Sequence, residues 1–304
     1  MFRSNKKSNV WVLIVLITLI WGYAWVLMKE SLQFMGPFSF SSLRFGTGSI
    51  MMLMLVFVMR VGIPPKTQWR HLIMVGLLQT TIVFSLVMYG LRFVDAGKSS
   101  VLLYSMPIWS SLLAAKVLKE PLTKVKLLGL GMGMVGLLTI LGWDIWVEQN
   151  LKAIFGELLI ILAAISWGVS NVYYRLKLQN VPRLQVSAYQ MLFGTLGLII
   201  ATIMMEWGKP ISITSMSMYY ILFTGILASA LCFTVWFYIL SIIDMVTATL
   251  STLLVPIFAM LFGSVFLDEK LTIGIIIGTV LILGGIFVAQ MFKGDVEYKG
   301  LDET

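Results

Sequence analysis

Cysteine, histidine and charged residues are scarce in this chain. Its 304 residues include one cysteine, Cys232, and one histidine, His71, and only 12% are Asp, Glu, Lys or Arg. A single cysteine excludes an intramolecular disulfide. One cysteine and one histidine together are too few ligands for the familiar zinc sites. Ordinary globular domains carry about 25% charged residues. These shortages argue against a soluble chain, and we expect neither a metal nor a cofactor.

Apolar residues make up 59% of the chain. A membrane-spanning helix needs about 20 apolar residues, so this length allows about ten spans and no sizeable soluble domain. Arg3, Lys6 and Lys7 before the apolar run from Val10 to Met28 resemble a signal peptide. The run is too long and lacks a small-residue cleavage site, so we interpret it as a retained first helix.

Charge-poor runs predict an all-α membrane protein of ten transmembrane helices. In chain order the predicted spans are 10–29, 38–59, 71–90, 98–117, 125–142, 155–175, 186–205, 218–240, 246–267 and 272–291. The net charge of +8 could suggest nucleic acid, but the basic residues lie at the edges of the apolar runs. That placement is typical of membrane topology, so we expect a lipid bilayer and no nucleic acid as partner.

The basic residues favour one side of the membrane. With the N-terminus inside, fifteen of the 22 Lys and Arg residues lie on the cytoplasmic side, six lie on the other side, and Arg44 lies within the second span. Because cytoplasmic loops are enriched in Lys and Arg, both termini, including the tail 292–304, are predicted to be cytoplasmic.

The chain also contains an internal repeat. An offset of 149 residues aligns twelve identical residues without a gap between positions 89 and 140. The first-copy members are Tyr89, Leu91, Asp95, Pro107, Ile108, Leu112, Leu118, Glu120, Leu122, Thr123, Gly129 and Gly136. An offset of 146 aligns Trp21-Gly22 with Trp167-Gly168. Such matches indicate a duplicated unit, with five-helix repeats over 10–142 and 155–291.

Five is an odd number of spans, so the second copy must begin on the opposite side of the membrane from the first. The two copies are therefore inverted about an axis in the membrane plane. Inverted repeats are typical of transporters that bind substrate near the midplane between the halves and expose it to each side in turn. The repeat thus predicts a transporter of a small-molecule substrate.

Several motifs resemble the EamA family of the drug/metabolite transporter superfamily, over about 11–291. They are the two Trp-Gly pairs, Ser42-Leu43-Arg44-Phe45, the stretches Tyr89 to Pro107 and Tyr238 to Pro256, Leu118-Lys-Glu-Pro-Leu-Thr and Leu267-Asp-Glu-Lys-Leu-Thr. One departure is Ser241, which stands where the first copy has Arg92. The resemblance implies a ten-helix, exporter-like carrier of amino acids, drugs or other small metabolites in a bacterial cell membrane. It leaves the oligomeric state open.

Two polar and aromatic stripes are candidates for the cavity lining. Trp21 and Trp25 share a face of the first helix, and Trp167, Asn171 and Tyr174 share a face of the sixth. The repeat relates the two stripes, so they could face each other. The alternative is that these rings lie at the headgroup level or pack between helices.

Further candidates lie in the third, fourth and ninth helices. Gln79 lies near mid-membrane, where it could contact substrate or hydrogen-bond to another helix. Tyr104 precedes Pro107, and Ser251 and Thr252 precede Pro256, so these prolines could give structural kinks or gates. The predicted substrate-binding set is Trp21, Trp25, Gln79, Tyr104, Trp167, Asn171, Ser251 and Thr252.

For the charged residues near the ends of the spans, we expect structural roles rather than contact with substrate. Glu157 is expected at a hydrated helix end, with a proton relay as the alternative. Arg44 is expected to extend its guanidinium to the membrane surface, with anion or lipid-phosphate binding as the alternative. Glu120 and Glu269 precede helix starts, so we expect them to cap backbone N–H groups rather than contact substrate. The glycines at 129, 133, 136, 274 and 278 are expected to be helix contacts.

The residues within the predicted spans also distinguish an enzyme from a transporter and one kind of transporter from another. An intramembrane enzyme needs a nucleophile with a base, paired acids or a metal set, and none is visible at membrane depth, so we predict no enzyme. Proton-driven small multidrug pumps of the same superfamily use a carboxylate deep in the first helix, where this chain has Thr18, Trp21, Tyr23 and Trp25. We therefore favour facilitated transport of amphipathic or zwitterionic solutes. A proton antiporter using Glu157 and a flippase for lipid-linked substrates are the alternatives.

The topology can be tested with reporter fusions. A reporter fused after Lys124 should be active on the cytoplasmic side, and one fused after Gly208 on the exterior side, because three spans separate the two positions. A periplasmic signal at Lys124 would overturn the orientation.

Overall fold

A computed structural model describes residues 2–240, 242 and 250–291, and this part of the chain is helical with no strands. The first half contains α1 Phe2–Ser31, α2 Pro37–Val58, α3 Lys66–Gly90, α4 Ala96–Val117 and α5 Lys124–Glu148. The second contains α6 Leu151–Lys177, α7 Arg183–Glu206, α8 (the consecutive segments Ser215–Leu222, Phe223–Leu231 and Cys232–Leu240), α9 Leu254–Phe266 and α10 Ile273–Met291.

Nine of these helices are long and apolar enough to cross a membrane, and α9 is a shorter apolar helix. Together they confirm the ten-helix fold. The predicted spans agree with the helices to within about one turn at most ends, a usual margin for sequence-based boundaries. The predicted start of the ninth span and the tail 292–304 lie outside the described residues.

The outer surface of the helices is apolar. Phe57, Leu138 and Val280 are exposed by 84%, 61% and 65%. In water such rings and branched chains would be buried, whereas in hydrocarbon they meet lipid tails at no cost. The chain is therefore a multi-pass membrane protein.

The two halves are interlocked through their first and fourth helices. Helix α1 packs against α9 of the second half, and α6 packs against α4 of the first. A Cβ on Gly22 would lie 2.6 Å from Phe258 Cβ, and one on Gly168 would lie 3.1 Å from Trp109 Cβ. Because the repeat aligns Gly22 with Gly168 and Trp109 with Phe258, the same close crossing occurs twice.

Helices α5 and α10 form a second symmetric pair. Gly129 packs against Gly285, and a Cβ on Gly136 would lie 2.7 Å from the Gly278 carbonyl oxygen. The repeat offset of 149 carries Gly129 onto Gly278 and Gly136 onto Gly285. This confirms the expected role of these glycines as small-residue helix contacts. Gly133 and Gly274 likewise pack closely against Ile108 and Trp143.

Carboxylates hold helix starts across the halves. Glu206, at the end of α7, accepts from the Ser39 N–H at 2.7 Å and the Phe38 N–H at 3.3 Å. Glu269 accepts from the N–H groups of Ala96 and Gly97 at the start of α4. Glu269 thus caps, as expected, but it caps a helix of the other half. In hydrocarbon the first N–H groups of a helix need such partners.

The helix that follows each predicted capping glutamate begins with a threonine instead. Thr123 accepts from the Lys126 N–H at 3.2 Å, and the repeat-related Thr272 accepts from the Ile275 N–H at 3.3 Å. Glu120 itself pairs with the side chains of Arg175 and Lys126. The expectation that each glutamate caps a helix start is therefore met for Glu269, while Glu120 forms ion pairs.

Glu157 does not lie at a hydrated helix end, so that prediction was wrong. It is fully buried with Lys98 and Asp144, and Lys98 Nζ lies 2.7 Å from Asp144 Oδ2 and 3.2 Å from Glu157 Oε1. The difference arises because α5 continues to Glu148, which brings Asp144 inside the bundle. This buried ion triad joins α4, α5 and α6, and its one lysine lies between the two acidic side chains.

We predict that replacing Lys98 destabilises the protein strongly. Lys98→Met leaves two buried carboxylates without a cation, and removing one partner of a buried ion pair costs about 3–5 kcal/mol. Thermal and SDS unfolding of the purified protein would measure the loss. The matched control is Lys152→Met, because Lys152 is exposed. Equal stability of the two variants would contradict a structural role for the triad.

Candidate substrate cavity

A cavity of about 310 Å³ lies between the two halves. Within the described residues its lining comes from α1, α2, α3, α4, α6, α7 and α8 and from Thr252 just before α9. The paired helices α5 and α10 contribute no lining residue among those described. Ligand pockets span about 300–1,000 Å³, so this cavity has the size of a small-solute site.

Seven of the eight residues predicted for the substrate site line the cavity. They are Trp21, Trp25, Gln79, Tyr104, Trp167, Asn171 and Thr252. The eighth, Ser251, is not part of the lining.

The lining residues occur in repeat-related pairs. At an offset of 146 the pairs are Trp21 with Trp167, Trp25 with Asn171, Arg44 with Gln190, and Phe45 with Met191. At an offset of 149 they are Gln79 with Ala228, Thr80 with Ser229, Phe84 with Phe233, and Leu103 with Thr252. Equivalent positions of both copies thus line one space, as expected where inverted repeats meet.

Wide helical turns supply part of this lining. Residues Leu77–Ile82 in α3 and Phe223–Leu231 in α8 are π-helical, and the repeat relates the two segments. Within the π-helical segment of α8 the Ala228 carbonyl accepts from Trp21 Nε1–H at 2.8 Å. π-helical turns are frequent at functional sites because they re-aim side chains and free backbone groups. Here they carry Gln79 and Ser229 to the cavity.

Proline-associated breaks supply two more lining residues. Helix α4 is interrupted at Tyr104 and Ser105, two residues before Pro107, and the chain turns at Thr252 and Leu253 before Pro256. Proline lacks the N–H that would continue the helical ladder and crowds the preceding turn. The predicted kinks are therefore present at both sites, and each turns a side chain toward the cavity.

The polar side chains at the cavity are partly engaged with the protein. Gln79 Oε1 accepts from Ser170 Oγ–H at 3.2 Å, and Gln190 Oε1 accepts from Thr80 Oγ1–H at 2.9 Å. Asn171 Nδ2–H donates to the sulfur of Met106 at 3.1 Å, which is a weak acceptor. The amide oxygens of the two glutamines thus accept hydrogen bonds, while their amide N–H groups have no acceptor within the described residues.

Arg44 does not extend to the membrane surface, so that prediction was wrong. Its side chain is 7% exposed and its guanidinium carbon lies 4.9 Å and 5.0 Å from the ring centroids of Phe45 and Phe84. Nη1–H contacts the sulfur of Met28 at 2.8 Å. The packing of α2 against α7 and α8 directs this side chain inward. It is the one charged residue among the described residues that line the cavity.

Sequence reasoning therefore missed several lining residues. The omitted polar members include Arg44, Thr80, Gln190 and Ser229. The internal repeat indicates two of them, because the 146-residue offset aligns Arg44 with Gln190 and Gly48 with Gly194. Two polar residues at equivalent positions of both copies would have indicated the cavity face of α2 and α7.

Comparison with known proteins agrees with this architecture. The sequence model of the EamA-like transporter family matches residues 9–142 and 154–291. An uncharacterised transporter of Bacillus subtilis strain 168, YoaV, is 34% identical over 276 residues, covering 90% of this chain and 94% of the relative.

Two less similar proteins match more than nine tenths of this chain. A probable amino-acid metabolite efflux pump of Salmonella typhimurium strain LT2 is 24% identical, covering 91% of this chain and 93% of the relative. One crystal structure, at 20% identity, matches 95% of this chain and 99% of its own with a TM-score of 0.65, which shows a shared fold. This chain belongs to the EamA-like transporter family and is a membrane transporter of small solutes.

Proposed function

We propose that this protein exports small amphipathic or zwitterionic solutes such as amino acids, with the cavity between the halves as its binding site. The observation that carries the proposal is the repeat-paired lining, in which aromatic rings and amides from both copies surround one space. Rings bind the apolar part of a solute, and amides bind its polar end. Rocking of one half against the other would expose this space to each side in turn.

Separate observations support the direction of transport and the location of the protein. Export is favoured by the likeness to the Salmonella protein named as an efflux pump. The basic-residue asymmetry favours both termini in the cytoplasm, and the likeness to the Bacillus transporter favours a cell membrane. A cavity of about 310 Å³ suits a metabolite better than a lipid-linked substrate, so the flippase alternative is disfavoured.

The proposed binding residues are the seven predicted residues that reach the cavity, with Ser251 left out. Gln79→Leu and Asn171→Leu should each raise the solute concentration for half-maximal transport about 2- to 10-fold, because one hydrogen bond is worth about 0.5–1.5 kcal/mol. Uptake of radiolabelled amino acids into proteoliposomes would measure this effect.

Matched controls are available on the exposed turn after α6. Gln179→Leu and Asn180→Leu remove the same chemical groups from exposed positions and should transport normally. Normal transport by both cavity variants at equal reconstitution would contradict the proposed site. Scrambling of headgroup-labelled lipid without solute uptake would instead support a flippase.

We further propose transport down the solute's own gradient. The described lining residues include no carboxylate that could exchange a proton for a cationic solute. Vesicles with an imposed pH gradient and equal solute on both sides should therefore show no net accumulation. Accumulation that is abolished by Glu157→Gln, but kept by Glu148→Gln at an exposed position, would establish proton antiport instead.

A further inference from the structure

Arg44 is a buried cation without a counter-ion among the described residues. The ion pairs of this part of the chain involve Lys98, Lys126 and Arg175, and none involves Arg44. Its Nε–H is buried and has no hydrogen-bond partner. A buried charge is costly unless it is paired and hydrogen-bonded. A guanidinium kept in this state is therefore prepared to receive an anion from elsewhere.

The contacts of Arg44 position it without neutralising it. Phe45 and Phe84 place their rings about it, and ring quadrupoles attract a cation while leaving its charge in place. The sulfur of Met28 is a weak acceptor. All three neighbours also line the cavity. The planar donor fork is thus fixed beside the space that the solute would occupy, and such a fork suits a carboxylate.

We infer that Arg44 binds the carboxylate of the transported solute, so that the substrates are amphipathic monocarboxylates or zwitterions. This inference rests on the proposed function, since it assigns the anion-binding residue of the same cavity. One guanidinium neutralises one negative charge. A phosphate monoester carries about −1.5 to −2 at neutral pH and would leave buried charge uncompensated among the described lining residues.

The rest of the lining fits a solute with a carboxylate end and an apolar body. The free amide N–H groups of Gln79 and Gln190 are donors, which suit a carboxylate better than an amine. Gln190 occupies the position that the repeat relates to Arg44, so the charge is present in one half only. The anion end of the solute is thereby assigned to the Arg44 side, and the aromatic rings remain for its body.

Matched acid and amide probes test the inference. Binding of L-leucine against L-leucinamide, and of 3-phenylpropionate against 3-phenylpropionamide, would be measured by calorimetry on the purified full-length protein. The wild type should bind each acid about tenfold or more tightly than its amide, because hydrogen bonds to charged groups are the stronger ones. Equal binding of acid and amide would overturn the inference and leave the proposed function intact.

Variants of Arg44 then locate the preference. Arg44→Gln, which installs the residue of the repeat-related position, should reduce the acid-to-amide ratio to about one while the amides still bind, and that binding also reports folding. Arg44→Lys should lower the ratio without abolishing it, because ammonium keeps the charge but loses the planar fork. The control Arg183→Gln, at an exposed position, should keep the wild-type ratio.

The remaining outcomes also decide between the proposals. A full acid preference in Arg44→Gln would place the anion elsewhere and overturn the inference alone. Tighter binding of phenyl phosphate than of 3-phenylpropionate would overturn the choice of a carboxylate. If no acid, zwitterion or amide binds the wild type at all, both the inference and the proposed function fail.

Discussion

Hydrocarbon offers no hydrogen-bond partner to a polypeptide backbone, and the rest of this structure depends on that constraint. Every N–H and C=O group within the membrane must be satisfied inside the protein, which makes helices the default. Departures from helix occur where the protein itself supplies the partners. In the π-helical segment of α8 the Ala228 carbonyl accepts from Trp21 Nε1–H, and at the start of α4 two N–H groups donate to Glu269. These departures gather around the cavity and at the joints between the halves.

Because the five-helix unit is duplicated, each close helix crossing that holds the bundle together occurs twice. A helix pair that crosses closely once, as α1 and α9 do at Gly22, crosses again as α6 and α4 do at Gly168. Lipid provides no hydrophobic force between helices, so close packing of small residues has to hold the bundle together. Because equivalent joints occur in both copies, the space between them is lined by equivalent residues. We propose that specificity resides where the copies differ, at Trp25 against Asn171 and at Arg44 against Gln190.

Two groups of buried charge illustrate opposite solutions to the cost of desolvation. The triad of Lys98, Asp144 and Glu157 brings carboxylates and a cation into contact and lies apart from the cavity lining. Arg44 has aromatic rings and a thioether around it instead of a carboxylate. A compensated group joins helices, whereas an uncompensated one at a cavity is available to a ligand. We propose that the two sites serve different purposes, the triad the stability of the protein and Arg44 the recognition of its solute.

The sequence by itself determined the number of helices, the repeat and six of the eleven aromatic and amide residues among the described lining of the cavity. These follow from local signals, because span length, charge scarcity and helical periodicity depend on neighbours in the chain. Only the tertiary structure decided where Arg44, Glu157 and Glu269 lie. A charged side chain near the end of a span can reach water, a lipid headgroup or the interior, and the chain's own neighbours do not distinguish these. The choice is made by α2 packing against α7 and α8, by the continuation of α5 to Asp144, and by the loop after α9 meeting the start of α4, all contacts between segments distant in sequence.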